Sequence, residues 1–332
     1  MKKFLSFLLC FALLGTMVIP CQADDTIYGM TAETFFASDD TELPYRFYKP
    51  EGDAPENGYA VFIHLHGIGE CGNDNEDQLS VGVELVRAVL NQRTDTIVIV
   101  PQSMEPWVNV SPTRGTYAID KVPPSPYLVA VMELLADLQN TYKIDATRLY
   151  VSGLSMGGYG TWDLLARYPN TFAAAIPVCG GGDPDQAKRM TNVAIRTYHS
   201  ADDPTVPVAG TRAIVAAIQE AGGNISYTEY DDLGHGCWSR AFRTADQVSW
   251  LFSQTKQADV PVEPLFPLGD VDENGVVDTA DALEVLKSVV GRIYLIYSQT
   301  LAADTDQNGR VTAADALVIL QVVVGKRPPF NP

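Results

Sequence analysis

The sequence predicts an α/β protein whose mostly parallel sheet is covered by helices on both faces. Apolar strand-like runs alternate with helical patterns along residues 59–252, the order expected of parallel strands joined by helices. At residues 149–167 a strand pattern, a glycine turn and a helical pattern follow one another directly. A third observation, an Asp-rich repeat near the C-terminus, predicts a second and smaller domain.

Composition indicates a globular protein. The chain has 332 residues, of which 46% are hydrophobic and 19% charged, so it can hold one large domain and a small one. Its net charge of −18 argues against nucleic acid and against an anionic membrane surface as partners.

The N-terminus has the pattern of a secretory signal peptide. Lys2 and Lys3 precede an apolar stretch at residues 4–19, and a small-x-small cleavage pattern ends at Ala23. We therefore expect cleavage after Ala23 and a secreted, extracellular protein. Cys71, Cys179 and Cys237 then make an odd count, which allows at most one disulfide within the mature chain and leaves their redox state open.

The sequence pattern locates the strands, the helices and one long loop. A hairpin at residues 35–48 is expected at the sheet edge. Further strands are predicted at residues 59–65, 96–100, 149–152, 172–178, 194–200 and 226–230, and helices at 81–90, 127–142, 161–167, 209–221 and 238–252. The long loop at residues 101–126 follows the end of a strand, where open α/β sheets bind ligands. Its Trp107 is a candidate for substrate binding by stacking, with packing inside the loop as the alternative.

The glycine turn has the pattern of a nucleophile elbow. Gly153-Leu154-Ser155-Met156-Gly157 lies between a strand and a helix, the context in which Gly-x-Ser-x-Gly exposes a reactive serine in α/β-hydrolases. The turn strains the serine backbone, so Gly153 and Gly157 fit positions where a side chain would interfere. Ser155 is the predicted nucleophile.

The general base follows by elimination. α/β-hydrolases carry their triad in the order Ser, acid, His. Of the four histidines, His64 and His66 precede Ser155, and His199 precedes every plausible acid on its own loop. His235 is therefore the predicted base. Asp202 and Asp203 both follow a late strand, and either fits the acid that orients the base.

The oxyanion hole requires two backbone amides. The apolar strand at residues 59–65 runs into His66-Gly67-Ile68, where this fold places one donor, and the residue after the nucleophile supplies the other. We assign the two amides to Ile68 and Met156. This catalysis requires no cofactor.

These motifs resemble one known family over residues 31–252. The strings His66-Gly67-Ile68-Gly69-Glu70, residues 72–75 (Gly-Asn-Asp-Asn), residues 153–162 and residues 199–207 are similar to the polyhydroxybutyrate-depolymerase-like esterases. That group includes feruloyl and acetyl xylan esterases of carbohydrate esterase family one. In its His-x-x-x-Asp-x-x-Val-Pro pattern the acid corresponds to Asp203. The resemblance implies a serine esterase, and because its relatives include peptidases, a peptidase or a general carboxylesterase is the alternative.

The C-terminal repeat has the pattern of two EF-hand-type calcium loops. Oxygen side chains at positions 1, 3, 5, 9 and 12 and a backbone carbonyl at position 7 make a calcium ligand set. The first loop offers Asp270, Asp272, Asn274, the Val276 carbonyl, Asp278 and Asp281, and the second offers Asp304, Asp306, Asn308, the Arg310 carbonyl, Thr312 and Asp315. We therefore predict two Ca²⁺ ions. No helix is expected before either loop, since Pro267 directly precedes the first.

A loop followed by one helix, twice over, resembles the type I dockerin module. The resemblance covers residues 268–326 and implies a small all-α domain that binds a cohesin domain of a scaffoldin. The predicted organisation is a signal peptide at 1–23, an α/β-hydrolase esterase domain at 24–256, a linker at 257–267 and a dockerin at 268–332. A dockerin favours plant cell-wall polysaccharide as substrate and a cellulosome as location.

Overall fold

The computed structural model describes residues 26–260, 266–293, 295, 297–307 and 310–330. The predicted signal peptide lies outside the described residues, as do residues 261–265 of the predicted linker. Among the described residues, no helix is both long and apolar enough to pass through a bilayer.

One sheet of eight strands forms the centre of the large domain. The strands are β1 (Thr31–Phe36), β2 (Glu42–Tyr48), β3 (Tyr59–Leu65), β4 (Thr96–Pro101), β5 (Ile144–Leu154), β6 (Ala174–Val178), β7 (Ala194–Ser200) and β8 (Ile225–Tyr230). They lie in the order β1-β2-β4-β3-β5-β6-β7-β8. β1 and β2 pair antiparallel at one edge, and β3 to β8 run parallel. The predicted sheet and its edge hairpin are confirmed.

Helices cover both faces of this sheet. They are α1 (Glu84–Gln92), α2 (Pro126–Thr141), α3 (Met156–Arg167), α4 (Val208–Glu220), α5 (Trp238–Ala241) and α6 (Gln247–Ser253). Alternate residues of the continuous apolar strand β3 serve opposite cores: Val61 and Ile63 pack with α2, α3 and α4, whereas Phe62 packs with α1 and α6. This two-sided burial explains why β3 reads as an unbroken apolar run.

The predicted helix at residues 238–252 is wrong as a single element, because the chain breaks between α5 and α6. Gln247 is buried, and its Nε2 donates to the Ala241 carbonyl across the break. Its Oε1 accepts from the Tyr198 hydroxyl on β7. These contacts to another element favour the break, and apolar spacing alone does not reveal them.

The C-terminal domain contains α7 (Thr279–Val289), α8 (Tyr297–Ala303) and α9 (Ala313–Val323). Its small core joins Ala282 and Val285 of α7 to Ala316 and Ile319 of α9. The expectation that no helix precedes either calcium loop is wrong for the second loop. Helix α8 ends directly before Asp304, and it forms there because Ala303 at its C-terminal end packs into the same core.

Candidate active site

The chain turns sharply between β5 and α3 at Ser155. Its backbone has φ 52° and ψ −116°, a conformation that costs a non-glycine residue about 1–3 kcal/mol. The Ser155 amide donates to the Val178 carbonyl at 2.9 Å, which ties the turn to β6. A Cβ at Gly157 would overlap the Leu65 carbonyl, so the turn requires glycine there. The strained turn places the Ser155 side chain at the carboxyl end of β5.

Three side chains from separate loops meet at this turn. Ser155 Oγ lies 2.7 Å from His235 Nε2, and His235 Nδ1 lies 2.7 Å from Asp203 Oδ2. Because the carboxylate accepts a hydrogen bond from Nδ1–H, Nε2 is left to accept one from the serine hydroxyl. The ring of Trp238 stands edge-on to His235 at 5.3 Å between centroids. The arrangement has the connectivity of a nucleophile, a base and an orienting acid.

Asp203 is held as a carboxylate. Its Oδ1 accepts from the amides of Thr205 and Val206 at 2.8 and 2.9 Å, and its Oδ2 accepts from His235 and also from His199 at 3.1 Å. Burial by itself would raise the pKa of Asp203. The hydrogen bonds from His199, His235 and the two amides outweigh it and hold the pKa well below the usual range.

Asp202, the other candidate acid, has a different position. Its Oδ1 accepts from the Ser200 hydroxyl at 2.6 Å and from the Gly234 amide at 2.9 Å. It therefore supports the loop that carries His235 and does not bind the imidazole.

The turn after β3 lines one cavity together with Ser155. Ile68 begins a 3₁₀ turn (Ile68–Glu70) and Met156 begins α3, so neither amide has an acceptor within its own helix. His66 is buried, and its Nε2 accepts from the Ser103 amide at 3.0 Å. Its Nδ1 must then carry the proton that it donates to the Gly67 carbonyl at 2.6 Å. His66 therefore fixes the backbone of this turn.

An apolar cavity of about 190 Å³ opens above the serine. Its walls come from the turn after β3, the loop after β4, the elbow with α3, and the loops after β7 and β8: Ile68, Pro106, Val108, Val110, Ser155, Met156, Tyr159, Thr205 and His235. Such a pocket suits the acyl part of an ester better than a charged group.

The prediction that Trp107 stacks against substrate is wrong. Trp107 is 0% exposed, and it is absent from the cavity wall. Its Nε1 donates to the His66 carbonyl at 3.0 Å, and its ring lies 5.0 Å from the His66 ring. A buried indole with a satisfied N–H is a packing element. Trp107 therefore supports the turn after β3 from behind.

The loop at residues 102–125 is anchored to the body of the domain. The Tyr117 hydroxyl donates to Asp163 Oδ1 at 2.6 Å, and the Ile119 amide donates to Asp183 Oδ2 at 2.9 Å. Arg167 pairs with Asp163 at 2.7 Å and also donates to the Val122 carbonyl. These buried, charge-assisted contacts fix the wall of the pocket that the loop supplies.

All three cysteines of the predicted mature chain are free thiols in this structure. Cys179 and Cys237 are buried, and Cys71 is half-buried beside Met156. Burial raises the pKa of the Cys179 thiol well above its ordinary value. A buried thiol of raised pKa is a poor nucleophile, so Ser155 has no competitor from Cys179.

The first C-terminal loop brings carboxylates together. Oxygen atoms of Asp270, Asp272 and Asp281 lie within 4.8 Å of one another. Burial and the neighbouring Asp281 and Asp272 raise the pKa of Asp270 to about 6, as expected of a buried carboxyl beside like charges. Hard oxygen ligands in this arrangement fit Ca²⁺. Gly275, with φ 88°, provides the sharp turn at position 6.

The second loop repeats this arrangement with Asp304, Asp306 and Asp315, while Asn308 lies outside the described residues. Position 9 has a further task in both loops. Asp278 and Thr312 cap α7 and α9 by accepting from the amides two residues on. Each forms a capping box with position 12. We expect Asp278 and Thr312 to reach an ion through water, as position 9 often does.

Sequence reasoning did not find His66 or His199 as parts of the site. Both lie at or just beside the carboxyl end of a strand that leads to the pocket. That position is the feature of the sequence by which they could have been found. Gln102 was also missed: its side chain binds the Asn75 amide and the Glu70 carbonyl, and so joins the turn after β3 to the next loop.

Comparison with known proteins separates the two domains. Residues 268–323 match the family model of the dockerin type I domain. A solved thermostable esterase is 34% identical, with a TM-score of 0.62 over 69% of this chain and 64% of that one. The bifunctional acetylxylan esterase/xylanase XynS20E of Neocallimastix patriciarum is 24% identical over 47% of this chain and 21% of its own length. Poly(3-hydroxyalkanoate) depolymerase C of Paucimonas lemoignei is 36% identical over 53 residues, 16% of this chain and 13% of its own.

The chain spans less than two thirds of the length of each of these relatives. The sheet order, the elbow and the structural match agree on the fold of the large domain. The chain therefore consists of an α/β-hydrolase domain similar to esterases, followed by a type I dockerin domain.

Proposed function

We propose that this protein is a secreted serine esterase that removes feruloyl or acetyl groups from plant cell-wall polysaccharide. The observation that carries the proposal is the chain of 2.7 Å contacts from Ser155 through His235 to Asp203, at the floor of an apolar cavity. Similarity to a thermostable esterase and to an acetylxylan esterase/xylanase supports the ester as substrate.

The geometry supports a two-step acyl transfer. Ser155 Oγ attacks the ester carbonyl while His235 Nε2 takes its proton, and Asp203 stabilises the imidazolium that forms. The amides of Ile68 and Met156 donate to the oxyanion, a contribution worth about 10²–10³ in rate for each donor. His235 then delivers the proton to the leaving sugar oxygen. Water, deprotonated by His235, attacks the acyl-enzyme, and His235 returns that proton to Ser155 Oγ as the acid leaves.

The dockerin supplies the proposed location. Dockerin similarity supports a cohesin domain of a scaffoldin as the partner, which would place Ser155 beside other enzymes on an insoluble polymer. The residues that would hold the two Ca²⁺ ions are those of the two acidic loops. When calcium is bound, the charge of these carboxylates would be neutralised and the fold of this small domain stabilised.

The test compares the full-length protein with a Ser155→Ala variant on acetylated xylan, methyl ferulate and a peptide substrate. We expect wild-type activity on at least one of the two esters and a loss of about 10⁵–10⁶ in kcat in the variant. Equal rates for the two proteins would refute the mechanism. Cleavage of the peptide alone would favour a dockerin-borne peptidase, and activity only on small esters a general carboxylesterase.

A further inference from the structure

Asp203 is hydrogen-bonded to a second histidine in addition to His235. His199, at the end of β7, is 0% exposed, and its Nε2 lies 3.1 Å from Asp203 Oδ2. The same oxygen accepts from His235 Nδ1 at 2.7 Å. One carboxylate oxygen therefore lies between two histidine rings, and only one of them faces the serine.

The position of the His199 proton follows from its neighbours. Nε2 is flanked by two acceptors, Asp203 Oδ2 and the Val206 carbonyl at 3.1 Å. Because neither neighbour offers a proton, Nε2 must carry one in either charge state of the ring. The opposite nitrogen, Nδ1, lies 2.7 Å from Thr211 Oγ1, which lies 2.9 Å from the Gly180 carbonyl. Both ends of the ring are thus held, and its N–H points at the carboxylate.

We propose that His199 is a positioning residue for the acyl transfer at Ser155. It acts through Asp203, by fixing the oxygen that orients His235, and it does not touch the substrate. The two backbone amides on Oδ1 fix one end of the carboxylate, and the His199 N–H fixes the other. With both oxygens held, the carboxylate cannot rotate away when His235 moves a proton. This inference rests on the proposed function.

Two amide substitutions divide the contacts of His199 between them. In a His199→Gln variant the side-chain NH₂ reaches the position of Nε2, so the donor to Asp203 remains. In a His199→Asn variant the shorter amide reaches the position of Nδ1, so the Thr211 contact remains and the donor to Asp203 is lost. A His64→Gln variant is the matched control, since His64 is also 0% exposed but contacts Ser152 instead of the triad.

We expect His199→Asn to lower kcat for ester hydrolysis about 10–100-fold, the loss of one hydrogen bond to a charged group, with KM within about twofold. His199→Gln should recover most of that loss. His64→Gln should lower stability without a comparable loss of kcat. If His199→Asn keeps the wild-type kcat, or if His199→Gln loses as much as His199→Asn, the inference is overturned.

A spectroscopic measurement tests the same contact without any substrate. The chain has only four histidines, so protein labelled with ¹⁵N-histidine gives few imidazole N–H signals. We expect His199→Asn to remove the His199 Nε2–H signal and to move the His235 Nδ1–H signal, and His199→Gln to restore the latter. An unmoved His235 signal in His199→Asn overturns the inference. A wild-type protein with no esterase activity would refute the proposed function alone, because the NMR result would still decide the contact.

Discussion

Acidification is expected to destabilise the hydrolase domain through two buried histidines. Burial, and secondarily the nearby His66, lowers the pKa of His64 from 6.5 to about 3. Burial lowers the pKa of His66 to about 4, although its bond to Gly67 opposes the shift. His64 Nε2 has no polar partner among the described residues, so the charged ring would bury an Nε2–H without compensation.

The sign and size follow from linkage. In the unfolded chain a histidine binds a proton near pH 6.5, whereas in the folded protein these two bind one only at lower pH. Their contribution to the free energy of unfolding is therefore complete above pH 6.5 and is lost as the pH falls toward 4. At about pH 5 each histidine lowers the free energy of unfolding by about 2 kcal/mol, and the two together lower it by about 4 kcal/mol. Burial raises the pKa of Glu70, which offsets part of the loss. Carboxylates of lowered pKa, such as Asp203, matter only at lower pH.

Urea unfolding followed by tryptophan fluorescence measures this effect, because all four tryptophans lie in the hydrolase domain. We expect the free energy of unfolding to fall by up to about 4 kcal/mol from about pH 7.5 to about pH 5, with uptake of nearly two protons. A His64→Leu variant should show about half of that fall, although its stability at pH 7.5 is lower. Equal stability at the two pH values, or an undiminished fall in His64→Leu, would refute the reasoning.

Three further predictions concern the acid, the elbow and the dockerin. Asp203→Asn should lower kcat for ester hydrolysis about 10⁴-fold, because an amide favours the wrong tautomer of His235. Asp202→Asn keeps its acceptor for the Gly234 amide, so its kcat in the same assay should stay within about fivefold of wild type. Gly157→Ala should cost about 3 kcal/mol or more in thermal unfolding, because its Cβ overlaps the Leu65 carbonyl; Gly69→Ala has open space and should cost less than about 1 kcal/mol, and equal losses would contradict the overlap. Chelation of calcium should remove the circular dichroism of α7 to α9 and leave hydrolysis of a soluble ester unchanged; an unchanged spectrum would contradict calcium-dependent folding.

Local pattern predicted the parallel sheet closely. β3 and β7 have the predicted bounds, since a strand buried on both faces is apolar throughout its length. The order along the chain selected Ser155 and His235 and left the acid open between two residues. The family resemblance selected Asp203, and the structure joins these three residues by hydrogen bonds. Spacing rules of this kind work where one rigid scaffold fixes the chain order of a site.

Contacts between distant segments could not be predicted from the sequence. The break between α5 and α6 depends on Gln247 bonding to Tyr198, 49 residues away. An aromatic residue on a loop after a strand end is typical of a ligand contact, and Trp107 fits that pattern. Its N–H, however, donates to the His66 carbonyl, a contact between distant segments that the pattern does not show. His199 was set aside as a base because of its place in the chain order. That order contains no information on a histidine that acts on the acid instead.

The anchoring of the loop at residues 102–125 has a consequence for binding. Tyr117 and Ile119 hold the loop through Asp163 and Asp183, so the pocket wall made by Val108 and Val110 exists before an ester arrives. The conformational entropy of ordering this wall is lost once, when the protein folds, and not at each encounter with substrate. Association should therefore be a single kinetic phase, whose rate rises in proportion to substrate concentration without levelling off at a conformational step.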